Sequence, residues 1–341
     1  MKDFVIIFLS FCFLMMFSYR LKAQETDSIR SERLAKFENI VSKLPKISGL
    51  IDFRYRYDSE KSTFDIRRAR LDLQGTISKM FDYRLQVEFA SSPRLLDAYA
   101  RAKIKPYFNI QAGSFKLPFT LENPYSPKNL ELMDNAMAIT KLCSYEDLSG
   151  INSNGRDIGL MFYGGFLGKR GFNTIEYYLG IFNGAGINIR DNNKSKDIVG
   201  RIEIRPIRHL TLSASGYIGE MVLDQDHRYE RRDRYAAGLR FDNSKIVFRT
   251  EYIAGLTAGI KSAGIYAVAG YTFWRKFTPA LRFDVFQDDL KEKETLQLNY
   301  TIGLSYWIHR NFRCQLNYTY ESFVDGSRNG SLIGAMITAA F

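Results

Sequence analysis

Cysteine and histidine are scarce, three of each in 341 residues, and that removes several kinds of chemistry at once. Cys12 falls in an N-terminal apolar run. Cys143 and Cys314 are too few and too unpatterned for a disulfide framework or a thiolate metal site. His209, His227 and His309 are scattered near expected connections, without metal-ligand spacing and without a paired serine or aspartate. Neither a zinc centre nor a catalytic triad is therefore expected, and no cofactor. A glycine-rich phosphate loop is missing too. Gly184-Ala185-Gly186 follows Asn183 at a strand end, where turn chemistry accounts for it. Beyond the N-terminus no apolar run approaches the roughly 20 residues of a membrane-crossing helix.

What the chain has is alternation. Between Phe64 and Ala90, Arg68, Arg70, Asp72 and Gln74 fall on one face and Ala69, Leu71 and Leu73 on the other. After a turn near Lys79–Asp82, Arg84, Gln86 and Glu88 oppose Tyr83, Leu85, Val87 and Phe89. A period of two makes a β-strand with one polar and one apolar side. The runs are about ten residues long, near the length that crosses a bilayer as a tilted strand. The pattern recurs to the last residue with almost no helix to cover it, as a soluble sheet would require. Aromatics make up 14%, with 21 Tyr and 26 Phe, which suits the girdles of a membrane barrel. The predicted fold is all-β: a transmembrane antiparallel β-barrel of about 16 strands, apolar toward lipid and polar toward water.

The first eight strands are expected near 48–57, 63–78, 83–91, 95–104, 107–117, 156–164, 172–183 and 196–205. The rest fall near 208–219, 232–242, 245–254, 263–273, 276–286, 294–306, 311–321 and 331–341. Odd-numbered connections are mostly long and even-numbered ones mostly short, the segregation of loops and turns that outer-membrane barrels show. The connection near Gly164–Gly171 is the longest of the short set. Cys314 falls on the lipid side of its strand, which disfavours a bridge to Cys143. The chain closes on Phe341, a terminal aromatic of the kind barrel assembly reads.

Residues 1–23 read as a secretory signal peptide: Lys2, an apolar run from Phe4 to Phe17, and Ala23 ahead of Gln24. Residues 24–46 carry an apolar stripe of Leu34, Phe37, Val41 and Leu44, read as a short periplasmic helix or a small coiled coil. Residues 47–341 are assigned to the barrel.

The net charge is +11, yet no nucleic-acid module accompanies it, which leaves polyanionic surfaces or small anions as partners. The lumen wall is expected to carry Arg54, Arg56, Arg68, Arg70, Arg84, Arg101, Lys103, Arg201, Arg240, Arg249, Arg282 and Arg313. Asp52, Asp72, Glu88, Asp97, Glu176, Glu203, Glu251 and Asp284 share that wall. Two readings stay open: rings of Arg and Lys that favour anions, or a wetted wall whose charges pair with each other. The connection Pro118–Gly155 is long enough to be functional. Folded inward, it would narrow the channel.

Four stretches resemble the phosphate-selective porin O and P family: Phe64–Ala90, Leu96–Asn123, Gly155–Gly164 and Tyr177–Gly186. The carriers are the Arg67-Arg68-Ala69-Arg70 cluster, the segment Gly113–Phe119 and the pair Arg156/Gly159. The resemblance implies a homotrimeric sixteen-stranded porin in the bacterial outer membrane, embedded in lipid, passing small hydrophilic or anionic solutes. It implies a third loop entering the pore, with Lys116 and Arg156 fixing or lining the constriction. Between Glu122 and Asp147 this loop has Lys128 and Lys141 against Glu122, Glu131, Asp134, Glu146 and Asp147. That acidic excess argues against a tuned phosphate site and leaves phosphate specificity open. The alternatives are a plugged structural or adhesion barrel and an outer-membrane barrel lipase.

Overall fold

The structure is a computed structural model. It describes Arg33, Leu34, Lys36 and residues 44–169, 171–222, 228–324, 326 and 328–341. The expected signal peptide, Phe37 and Val41 of the apolar stripe, and His227 lie outside the described residues. Residues Pro45–Phe341 form one unit, and the description below concerns it.

Sixteen strands follow one another with almost no helix. They are β1 (Lys46–Tyr57), β2 (Ser62–Thr76), β3 (Phe81–Glu88), β4 (Arg94–Lys105), β5 (Phe108–Lys116), β6 (Arg156–Lys169), β7 (Phe172–Phe182) and β8 (Asp197–Ile207). Next come β9 (Leu210–Ile218, continued past Gly219 by Glu220–Val222), β10 (Tyr229–Asp242), β11 (Ile246–Thr257) and β12 (Ile260–Tyr271). β13 (Phe277–Gln287), β14 (Leu296–His309), β15 (Phe312–Phe323) and β16 (Gly330–Ala340) complete the set. Each pairs antiparallel with its sequence neighbours. The ring closes because β16 pairs with β1, from Leu50 opposite Ala340 to Tyr57 opposite Ile333. Phe341 extends that seam by exchanging backbone hydrogen bonds with Gly49 at 3.0 and 3.1 Å.

The exposure pattern is the inverse of a soluble sheet. Along β14, Asn299, Thr301 and Ser305 are buried while Tyr300, Ile302, Leu304 and Tyr306 are exposed. Along β15, Arg313, Gln315 and Asn317 are buried while Leu316 and Tyr318 are exposed. Cys314 keeps the outward phase and, like Cys143, is a free thiol. Such strands are stable only where the outside is hydrocarbon. No helix of the described residues is long and apolar enough to cross a membrane.

Connections segregate by rim. One rim carries the links 58–61, 89–93, 117–155, 183–196, 288–295 and 324–329; the other carries turns such as 106–107, 208–209 and 310–311. The connection expected near Gly164–Gly171 is corrected to a tight turn. β6 runs on to Lys169, absorbing Leu167 at a positive φ of 53°, and β7 starts at Phe172. At the other end of the long-loop rim, Thr257 and Ile260 flank a two-residue hairpin, Ala258-Gly259.

A bulge resets the alternation in β2. Asp52 faces Arg68, but its neighbour Phe53 faces Ile66, so Arg67 is an extra residue. An extra residue turns one more side chain to the same face. Arg67 and Arg68 both point inward as a result, where simple alternation would send Arg67 to lipid.

The wall is not polar throughout. Phe119, Leu132, Met137, Ile139 and Leu142 of the long connection pack on Phe182, Tyr217, Ile253, Tyr266 and Phe286. Three of these five loop residues sit on the short helix α1 (Met137–Leu142). One arc of the barrel therefore holds an ordinary apolar core, which a polar-inside pattern does not foretell.

Gly113 in β5 has φ +129°, and a Cβ there would lie 2.1 Å from the Ala98 carbonyl oxygen. Such backbone strain costs about 1–3 kcal/mol before the clash is counted. Gly113→Ala should reduce the folded, heat-modifiable fraction on refolding. Gly216→Ala, whose Cβ meets open space, should leave it unchanged.

Candidate pore

The connection 117–155 is tied to inward side chains from all round the wall. Four of its five acids make these ties. Glu122 and Glu131 both accept from Arg249 of β11, at 2.9 and 3.0 Å. Asp134 accepts from Arg67 at 2.5 Å, and Asp147 from Arg234 at 3.0 Å. Wall guanidiniums also donate to loop carbonyls. Arg201 reaches Thr120 at 2.7 Å, Arg313 reaches Leu130 at 2.9 Å, Arg67 reaches Met133 at 2.8 Å and Arg282 reaches Asp134 at 2.6 Å. Wall acids take loop amides: Leu121 donates to Glu251 at 2.6 Å and Met137 to Asp284 at 2.9 Å. The planar guanidinium holds several acceptors in fixed geometry, so it serves better than lysine as such an anchor. Four of the loop's acids thus serve as fastenings, while Glu146 stays exposed and lines the long-loop-rim cavity with Asp134.

Most other wall cations face a wall acid. Arg68 pairs with Asp52 at 2.8 Å, Arg70 with Glu88 at 2.7 Å and Arg282 with Asp284 at 2.7 Å. Arg156 pairs with Asp97 at 2.6 Å, and Arg84 bridges Asp72 and Asp97. Arg101 and Lys103 share Asp82 at 2.7 and 2.6 Å, and Arg54 pairs with Asp65 at 2.5 Å. Arg240 pairs with Asp242 at 2.5 Å and lies over the Tyr125 ring at 4.4 Å. Lys116 donates to the carbonyls of Asn123 and Tyr125, both at 2.6 Å.

Open space remains on both sides of the loop. Toward the long-loop rim lies a cavity of about 550 Å³ lined by nine basic and four acidic side chains. Of the residues singled out in the sequence it collects Arg56, Arg68, Arg70, Lys116, Arg156 and Arg282. Arg56, Arg94 and Lys141 also line it and have no ion pair or side-chain hydrogen bond among the described residues. Toward the short-turn rim lie cavities of about 560 and 370 Å³, which collect Arg240 and Arg313. Arg249 is buried at 3% exposure beneath the loop. Arg84, Arg101 and Lys103 line none of these cavities, and Arg54 borders only a void of about 10 Å³. Sequence reasoning did not mention Arg94 or Tyr125, and it named Lys141 only as a basic residue of the loop.

Asp134 and Asp147 lie outside the strands. Burial works to raise both carboxyls. For Asp134 the guanidiniums of Arg67, Arg56 and Arg54 outweigh it and hold the carboxyl down, to about 2. Arg234 and Arg232 hold Asp147 below the ordinary range against the same opposition.

An even-numbered antiparallel barrel, apolar outside and polar within, with an anchored loop and water-sized space to either side, defines the porin class of outer-membrane channel. Residues 48–241 match the family "Phosphate-selective porin O and P", which is more than half of the chain, and the chain belongs to that family. A comparison with curated proteins finds no match. Among solved structures, an anion-selective porin from Comamonas acidovorans is similar with a TM-score of 0.69, at 12% identity over 87% of this chain and 99% of that one. The outer-membrane channel DcaP of Acinetobacter baumannii gives 0.63 at 11% identity over 87% and 97%. OmpT of Vibrio cholerae in a trimer form gives 0.60 at 11% identity over 87% and 99%.

Two outcomes follow. Removing one partner of a buried ion pair costs about 3–5 kcal/mol, so Arg249→Met should lower stability to denaturant by that order. Adding Glu122→Gln and Glu131→Gln should restore part of it. A carboxyl held below its unfolded value of about 4 stabilises the fold above that pH and loses the contribution as pH falls through its folded value. The Tm gap between the native chain and Asp134→Asn should therefore be full at neutral pH and close between about pH 4 and 2.

Proposed function

We propose that the chain is a passive channel of the bacterial outer membrane for small hydrophilic solutes, with a preference for anions. The observation that carries the preference is the cavity at the long-loop rim, where nine basic side chains outnumber four acidic ones and Arg56, Arg94 and Lys141 make no ion pair among the described residues. Fixed cations along a water-filled constriction raise local anion concentration and repel cations. The anion selectivity of the Comamonas acidovorans neighbour supports the same reading.

The preference concerns sign more than species. The wall arginines that would form an oxyanion ladder already hold carboxylates or loop carbonyls, so phosphate has to compete with bonded partners for them. The long-loop rim faces outward and the short turns face the periplasm, the arrangement of outer-membrane barrels. Residues 1–23 are read as the export signal and residues 24–46 as a periplasmic segment. The trimeric form of the OmpT neighbour supports a homotrimer here.

Arg68 and Arg70 are poor places to test the field. Reversing them would set carboxylate against the buried Asp52 and Glu88 and disturb folding as well as selectivity. Arg56 and Lys141 make no direct ion pair among the described residues, and neutral replacements there set no new carboxylate beside Asp134 and Glu321. In planar bilayers across a salt gradient, the native chain should give conductance steps with a zero-current potential of anion-selective sign. Arg56→Gln with Lys141→Gln should move that potential toward the cation side, the barrel remaining heat-modifiable. An unchanged potential would remove the assigned role of these side chains. Folded barrels without steps would favour a plugged barrel.

A further inference from the structure

We propose that Tyr125 is the septum of the path and sets the size limit on solutes; this rests on the channel reading above. Among the described residues it is the one that lines all three large cavities, the basic one at the long-loop rim and both at the short-turn rim. Leu130 borders the first cavity and one of the other two. Ring and leucine side chain thus form the partition between the two halves of the lumen.

The partition is held rigidly. The Tyr125 amide donates to the Glu122 carbonyl at 3.0 Å, and its own carbonyl accepts from Lys116. Its ring lies 4.4 Å from the Arg240 guanidinium and 5.8 Å from that of Arg249, both within cation–π reach. The Arg240 guanidinium also donates to the phenol oxygen. Both cations are themselves fixed, Arg240 by Asp242 and Arg249 by Glu122 and Glu131. A side chain braced this way behaves as part of the wall, so its bulk decides what passes. Neutral solutes, blind to the charges around the ring, report the size limit alone.

The test compares the native chain with Tyr125→Ala, Tyr125→Phe and Tyr125→Trp, each shown to be folded by heat-modifiable mobility. The readouts are single-channel conductance and liposome swelling in neutral sugars from pentose to trisaccharide. Opening a constriction should raise Tyr125→Ala conductance at least about twofold and admit a larger sugar. Tyr125→Trp should lower conductance, and Tyr125→Phe, which keeps the ring, should retain the native sugar limit. Equal conductance and equal sugar limits in the native, alanine and tryptophan chains would overturn the septum and leave the channel standing. A silent native chain opened by Tyr125→Ala would support the septum and overturn the freely open channel. Silence in every folded variant would overturn both.

Discussion

Hydrocarbon offers no partner to a peptide N–H or C=O, so a strand placed in it needs a neighbour on each side. That requirement fixes the architecture. An open sheet would leave two edges unpaired in lipid; pairing β16 with β1 leaves none. Once the ring is closed, each strand has one face to lipid and one to the interior. Tyr300, Ile302 and Leu304 must then alternate with Asn299, Thr301 and Ser305. The polar wall follows from closure in lipid, and so does the need to satisfy its buried charges.

The long connection meets much of that need. A wall with Arg67, Arg201, Arg234, Arg249, Arg282 and Arg313 pointing inward would be strained by desolvation and mutual repulsion if left alone. The loop supplies carboxylates and carbonyls to each of them. Its helix meanwhile covers the apolar arc around Ile253, Tyr266 and Phe286. Loop and wall therefore complete one interior. Charge left over from this pairing, on Arg56, Arg94 and Lys141 against Glu146 and Glu321, is what a passing solute meets.

Much of this was legible in the sequence. Period-two alternation identified the strands, and the segregation of long and short connections identified the two rims. The bulge was not read from the sequence, although a trace of it is there. Phe64 and Ile66 keep one phase while Ala69, Leu71 and Leu73 keep the other, so the apolar face slips by one residue between them. That slip marks Arg67 as inward. The end of β6 was harder to read, because glycines at 164, 165 and 168 resemble a loop in composition while the backbone continues as strand. Pairing partners were not legible at all. Whether Glu131 faces water or Arg249 depends on where a 39-residue connection, 117–155, crosses the interior, and local patterning carries no information on that. The same limit hid Tyr125, whose position depends on Lys116, Arg240 and Arg249 from three different strands.

The most direct test of this arrangement is amide hydrogen exchange in the folded barrel, read along residues 120–147. Leu121 and Met137 donate to wall carboxylates, and Ala136, Thr140 and Ser144 to acceptors within the anchored loop; these amides should exchange about as slowly as those of β11 and β13. Exchange at the rate of an unstructured peptide would show that the loop is not fastened to the interior, and the wall arginines would then be free to face the solute.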